Sequence, residues 1–317
     1  MKIKILICIG IVFLVSFTIF ETFSYFFPSR LTSSQDKFFS QDFDIEKKVI
    51  LIGSSHVGQL NTTYIEEMVI SKNHDYKIYN LAYQGDMPER RIKSSDKILE
   101  LKPTLVLYGI SYRDFPSSVN PPLFDPKQYF HDLFIGDQDD FGINNPKLTT
   151  LEFIRDISKK TELVDSSNEL TFQNTPFFTY DTTTQLRIAS NKELELQKGT
   201  SEATKIHLEK PFPPSANRQT TLLIKMINNL KMNGINVVLF TTPLHKIYLD
   251  ELPNSEKQTF DEILERIKKG TNVKIYDLTD KYSDLPIWTN ISHVAYNKNA
   301  TIYSEDVAKI ILGEIEP

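Results

Sequence analysis

Cysteine is almost missing from this chain. Of 317 residues only Cys8 carries a thiol, and it falls inside an apolar N-terminal stretch. No disulfide can brace the remaining sequence, and no cysteine zinc site can form. Blocks of one charge are missing too: the formal charge of −5 is spread along the chain without a basic run, which argues against nucleic acid as a partner. A glycine-rich phosphate loop is absent, which counts against a flavodoxin-like domain that binds a phosphorylated ligand. The run Asp137-Gln-Asp-Asp-Phe-Gly142 lacks the rest of a calcium-loop ligand pattern and reads as a solvated acidic turn. Neither a metal nor a cofactor is expected.

What is present suits a globular protein with a substantial core, at 40% hydrophobic and 24% charged residues. The N-terminus is separate from that globule. Lys2 and Lys4 precede the apolar run Ile5–Phe20, and Thr22–Phe27 extends it past Glu21 to about the length a bilayer needs. The bulky Phe23–Phe27 region offers no small-residue cleavage site, so the segment reads as an uncleaved signal-anchor rather than a removed signal peptide. Basic residues ahead of the stretch place the N-terminus in the cytoplasm and the rest outside the cell membrane. The expected organisation is a membrane anchor over 1–30, a linker over 31–47 and one α/β domain over 48–317. Sequons at Asn61, Asn290 and Asn299 are compatible with an extracellular face.

Five short apolar runs then stand out, namely Val49–Ile52, Lys77–Leu81, Leu105–Tyr108, Asn236–Thr241 and Val273–Asp277. Runs this short and this rich in β-branched and aromatic residues suit parallel strands buried on both faces. Helical spacing lies between them. One apolar face carries Ile92 and Leu99 before Lys102-Pro103. Another carries Leu223, Met226, Ile227 and Leu230, with Gly234 as C-cap, and a third carries Phe260, Ile263, Leu264 and Ile267, with Gly270 ending the helix. Val307, Ile310 and Ile311 mark a last helix. The alternation predicts a three-layer α/β/α sandwich around a five-stranded parallel sheet in the flavodoxin-like order 2-1-3-4-5. A stretch of about 115–214 interrupts it after the third strand, rich in Thr, Asn, Gln and Asp. It reads as a lid or subdomain, helical over Leu151–Lys160 and mobile over Ala189–Lys210.

The candidate site residues all follow a strand. Ser55, in Gly53-Ser54-Ser55-His56, follows the first; Gly85, in Asn80-Leu-Ala-Tyr-Gln-Gly85, follows the second; Ser111 and Arg113 follow the third. His245, in Thr241-Thr-Pro-Leu-His245, follows the fourth, and Asn290-Ile-Ser-His293 follows the fifth. Ligands of open α/β sheets bind at that carboxyl edge. Ser55 is the expected nucleophile and His293 the base that takes its proton. His56 is expected to point away from Ser55, with some chance of touching substrate, and Arg113 and His245 are further possible contacts.

These blocks, in this order, resemble the SGNH (GDSL-like) hydrolase and acyltransferase superfamily over roughly Lys48–Tyr112 and Ile235–Glu314. The resemblance implies that Ser55 is the nucleophile, that Gly85 and the third-block residue supply an oxyanion hole, and that His293 is the base. Two positions depart from the pattern: Ser111 stands where the family has asparagine, and Asn290 where it has aspartate. An aspartate fixes the imidazole tautomer and stabilises the imidazolium, and its replacement by asparagine costs about 10⁴-fold in a serine protease. Three outcomes stay open: a dyad steered by a carbonyl, rescue by another acid such as Asp284 or Asp114, or loss of catalysis. The anchor and the insertion resemble those of envelope-polymer acylation systems, which implies a cell-surface glycan as substrate and a membrane-bound acyltransferase as partner. The expected activity is a serine esterase or O-acyltransferase, with a catalytically inactive glycan-binding scaffold as the alternative.

Overall fold

The computed structural model describes residues 38–39, 47–72, 74–116, 187–199, 208 and 218–315. The chain divides into two compact units, Met1–Glu46 and Lys47–Pro317, and the α/β fold belongs to the second. Its strands are β1 (Lys47–Ile52), β2 (Tyr76–Asn80), β3 (Leu105–Ile110), β4 (Asn236–Thr241) and β5 (Lys274–Tyr276). All neighbouring pairs are parallel, in the order β2-β1-β3-β4-β5. Val49–Ile52 and all of β3 are buried, as a sheet covered on both faces requires. The fifth strand is shorter than the apolar run that announced it, because Asp277 turns away to accept a hydrogen bond from Thr241 Oγ1 at 2.6 Å.

Helices α1 (Ser55–Gly58), α2 (Thr62–Ser71), α3 (Pro88–Arg91), α4 (Ser95–Glu100), α5 (Asn191–Glu195), α6 (Arg218–Met232), α7 (Lys246–Glu251), α8 (Asn254–Thr271) and α9 (Ile302–Ile315) complete the described elements, with a small antiparallel hairpin of β6 (Trp288–Asn290) and β7 (His293–Val294). The right-handed rule for parallel crossovers assigns the long helices to the two faces. The chain steps outward from β1 to β2 through α2 and in the opposite direction through α6 and α8. So α2 pairs with α9 on one face, and α6 packs with α3 and α8 on the other.

Local chemistry sets the helix ends. Asn61 Oδ1 accepts from the Tyr64 N–H at 3.1 Å and caps α2, and Pro88 occupies the first turn of α3. Gly270 does not end α8. The helix runs to Thr271 and stops at Asn272 in the left-handed conformation (φ 49°), while Gly270 lies against Ile224 of α6. The helix expected before Pro103 is broken in two by a 3₁₀ turn at Ile92–Ser94.

Of the insertion, Pro116 forms an isolated antiparallel bridge with Leu208, so the chain leaves and returns at one place. Within the part expected to be mobile, Ala189–Lys210, the described residues 189–199 include a short helix. A capping box between Ser190 and Glu193 starts α5, and Ala189 N–H donates to the Trp288 carbonyl at 2.7 Å. The expected helix at Leu151–Lys160 and the acidic turn at 137–142 lie outside the described residues. So does the expected anchor over Ile5–Phe27. Among the described residues no helix is long and apolar enough to cross a membrane.

Candidate active site

β1 is followed by Gly53, whose φ of +147° is one that side-chain-bearing residues rarely adopt. A Cβ there would also lie 2.5 Å from Val57 Cγ2 and 2.6 Å from the Gly109 carbonyl oxygen. The glycine thus lets the chain turn abruptly and lets α1 settle on the sheet. Asn80, the last residue of β2, fixes that helix from the side: its Nδ2 donates to the Val57 carbonyl at 2.9 Å, and its Oδ1 accepts from Ala82 N–H at 3.1 Å. The result presents Ser55 at the first position of α1, at the carboxyl edge of the sheet.

The histidine comes from the other end of the chain. β6 and β7 pair Asn290 opposite His293, and the turn between them is tied by the asparagine side chain. Asn290 Oδ1 accepts from the N–H groups of Ser292 at 2.9 Å and His293 at 2.8 Å, an Asx turn closed at both donors. The hairpin is anchored by buried Trp288, whose indole N–H donates to the Tyr282 carbonyl at 3.1 Å. Gln197, beyond α5, accepts the Ile291 N–H at 3.1 Å. His293 Nε2 then lies 2.8 Å from Ser55 Oγ, across 238 residues of sequence.

The asparagine decides the tautomer. Two backbone donors converge on one atom of the Asn290 amide, and only its oxygen can receive them. The same oxygen lies 3.1 Å from His293 Nδ1, and an acceptor at that position assigns the proton to Nδ1. Nε2 is left with its lone pair toward Ser55, the state a general base requires. Ser292 Oγ bridges the pair, 3.0 Å from Nδ1 and 3.1 Å from Asn290 Oδ1. Asn290 therefore supplies the orientation that an aspartate would, without the negative charge.

His56 does not point away. Its ring lies flat on His293, with centroids 4.5 Å apart and planes 5° from parallel, and Ser54 Oγ sits 3.0 Å from its Nδ1. Burial holds its pKa well below the usual histidine range, and the charges of His293 and Arg113 add to that.

A cleft of about 280 Å³ opens beside Ser55, lined by Ser54, Ser55, His56, Gly85, Asp86 and Arg113, with Gln84, Met87, Arg90 and Asp114 completing the wall. Gly85 is where an oxyanion donor is expected. Ser111 is not: it is buried, absent from the cleft wall, and its N–H donates to Asp114 at 2.6 Å to start the 3₁₀ turn Tyr112–Asp114. A serine side chain is too short to reach where the longer asparagine amide would. His245 is also outside the wall. Its Nδ1 accepts the Ile247 N–H at 3.1 Å and caps α7, while its ring stands edge-on to Trp288, the residue that anchors the hairpin.

Sequence reasoning missed the acidic and basic groups after β2. Asp86 and Arg91 form a buried ion pair, with Arg91 Nε donating to Asp86 Oδ2 at 2.7 Å and Arg91 Nη2 to the Leu81 carbonyl at 2.8 Å. Arg91 is 1% exposed, and its guanidinium stacks on Tyr83 at 4.6 Å. The signal available was Pro88 starting a helix two residues after Asp86, which turns residue 91 back toward it. Asp114 is buried as well. Burial pushes its carboxyl up to about 8, the Ser111 N–H opposes that, Asp86 adds to it and Arg113 opposes it. Among the described residues no cluster of three or more His, Cys, Asp or Glu could hold a metal.

No family model matches the chain, and no curated protein does either. Solved structures are similar to it at low identity. The acetyl xylan esterase AlAXEase is 13% identical, with a TM-score of 0.41 over 84% of this chain and 99% of that one. TesA is 10% identical, with a TM-score of 0.43 over 86% and 99%. A catalytic mutant of Axe2, an acetylxylan esterase from Geobacillus stearothermophilus, is 10% identical, with a TM-score of 0.42 over 87% and 97%.

Proposed function

We propose that this chain is a serine esterase or O-acyltransferase that acts on small O-acyl groups, with Ser55 as nucleophile and His293 as base. The observation that carries it is the 2.8 Å contact from Ser55 Oγ to an Nε2 whose lone pair is set by the Asn290 oxygen on Nδ1. Ser55 Oγ attacks the acyl carbonyl while its proton passes to Nε2. The N–H groups of Ser55, in the first turn of α1, and of Gly85 receive the oxyanion. The tetrahedral adduct expels the alcohol, which takes the proton from Nε2, and leaves Ser55 acylated. Water or a second hydroxyl then gives its proton to Nε2 and attacks the same carbonyl, and Ser55 departs protonated. Water makes the reaction a hydrolysis, and a sugar hydroxyl makes it a transfer.

The sequence supports the wider setting. An N-terminal apolar stretch behind two lysines would hold the domain at the outer face of a membrane, where acylated surface glycans are the substrates within reach and a membrane-bound acyltransferase the natural donor. Asn290 favours a second reading, a domain that binds glycan without turning it over, because a neutral amide gives the imidazolium no charge to rest against. A fluorophosphonate probe with Ser55→Ala as control separates the two. The esterase reading requires covalent labelling at Ser55 and Ser55-dependent hydrolysis of a simple acetyl ester. Absence of both in folded parent protein would assign the fold to binding.

A further inference from the structure

We propose that His56 is a positioning residue that stands in for the missing carboxylate, its neutral ring lying flat on His293 and stabilising the imidazolium that forms there as Ser55 attacks. The inference rests on Ser55 and His293 acting as nucleophile and base. A neutral aromatic face attracts a cation held against it, and more strongly where water is excluded. Here the two rings are 4.5 Å apart and 5° from parallel, the geometry in which one ring's π face covers the other. His56 is 3% exposed, and Ser54 Oγ holds its Nδ1 at 3.0 Å, so the ring is fixed before the reaction begins.

The pair can hold only one proton. Two imidazolium rings at this distance repel, so protonation of one suppresses the other. Three features assign the proton to His293. Its Nδ1 proton faces the Asn290 oxygen, which becomes a stronger acceptor for a cation. Among the described residues the buried His56 Nε2 has no hydrogen-bond partner, so none of them offsets a charge on His56. Arg113, on the 3₁₀ turn after β3, adds positive potential at His56. The other ionisable groups on the cleft wall are Arg90, Asp86, itself paired with Arg91, and Asp114.

The test is a histidine-detected NMR titration of the full chain, which has six histidines, comparing the parent with His56→Phe and His56→Leu. Both variants are apolar and fill the space, but only phenylalanine keeps a π face. The His293 midpoint should fall by about 0.5 to 1 pH unit in His56→Leu and stay within about 0.3 of the parent in His56→Phe, the size of one cation–π contact. Equal midpoints in the two variants would overturn the proposal. Should neither variant fold, the parent alone decides, because protonation of His56 ahead of His293 contradicts it. Turnover supplies the second arm. Ser55-dependent ester hydrolysis should drop roughly 3- to 10-fold in kcat, with KM unchanged, in His56→Leu and recover in His56→Phe. A parent without Ser55-dependent turnover defeats the esterase reading alone, and the titration still judges the stack.

Discussion

Asn290 shows how one atom exchanged in a side chain separates two roles that a carboxylate combines. The amide oxygen already meets three N–H donors, from Ser292, His293 and the His293 ring. A carboxylate oxygen would meet the same three without moving, so Asn290→Asp adds charge and leaves the Asx turn as it is. We expect kcat for ester hydrolysis to rise on the order of 10-fold or more, well short of the ~10⁴ lost in the reverse change in a serine protease, because that loss comes from a wrong tautomer and Asn290 already sets the right one. A steady-state comparison at fixed pH checks it, and an unchanged kcat would mean that proton transfer to His293 does not limit the rate. Asp114 gives a second prediction at this scale. Its folded-state pKa, about 8, lies above the unfolded value, so the folded state binds the extra proton between them. The stability tied to this group is present at acid pH and is lost as pH rises toward 8. Asp114→Asn keeps an oxygen for the Ser111 N–H and never ionises. Its thermal midpoint should therefore gain on the parent between pH 5 and pH 9, and a constant gap across that range would refute the shift.

At the scale of elements, the site depends on how closely α1 sits on the sheet. Val57 rests over both Gly53 and Gly109, and a Cβ on Gly109 would run into Val57 Cγ2 and lie 2.8 Å from Phe240 Cζ. Gly109→Ala should lift α1 and carry Ser55 away from His293, at a cost of about 1–3 kcal/mol in stability and a larger relative loss in kcat. Adding Val57→Ala removes half of the clash, so the double variant should recover part of the stability, which a double-mutant cycle by thermal melts reads directly. If the two changes simply add, Val57 is not what meets the new methyl group. The strands and the long helices were legible because they obey one period each, the buried run in β3 and the i, i+3, i+4 stripe in α6. What escaped was set by tertiary partners. Gly270 looked like a helix stop but serves a close approach to Ile224, and the contacts of Ala189 and Gln197 were hidden because they lie far along the chain, at Trp288 and Ile291.

For the whole molecule, the parallel order β2-β1-β3-β4-β5 is what turns distant residues into neighbours. Ser55 was legible because it follows β1 directly, and Asn290 and His293 because their spacing marked the segment beyond the fifth strand, which the β6–β7 hairpin carries to the same carboxyl edge. The His56 stack and the Asp86–Arg91 pair were not, since side-chain direction at a sharp turn is fixed by packing and not by sequence position. The same topology also bounds what the proposed site needs. The β1 ladder starts at Lys47, opposite Tyr76, and among the described residues Asn80, Asn290 and Trp288, which position Ser55 and His293, lie beyond it. A chain lacking residues 1–46 should therefore keep fluorophosphonate labelling at Ser55, with a thermal midpoint within a few degrees of the full chain. Partition is where the two should part: the full chain should follow lipid vesicles on flotation, carried by the apolar residues before Pro28, and the shortened chain should stay in the aqueous fraction. Loss of labelling in the shortened chain would make the first unit part of the fold. Equal partition of the two would remove the membrane from the proposed function, and with it the reason for placing the substrate on a cell surface.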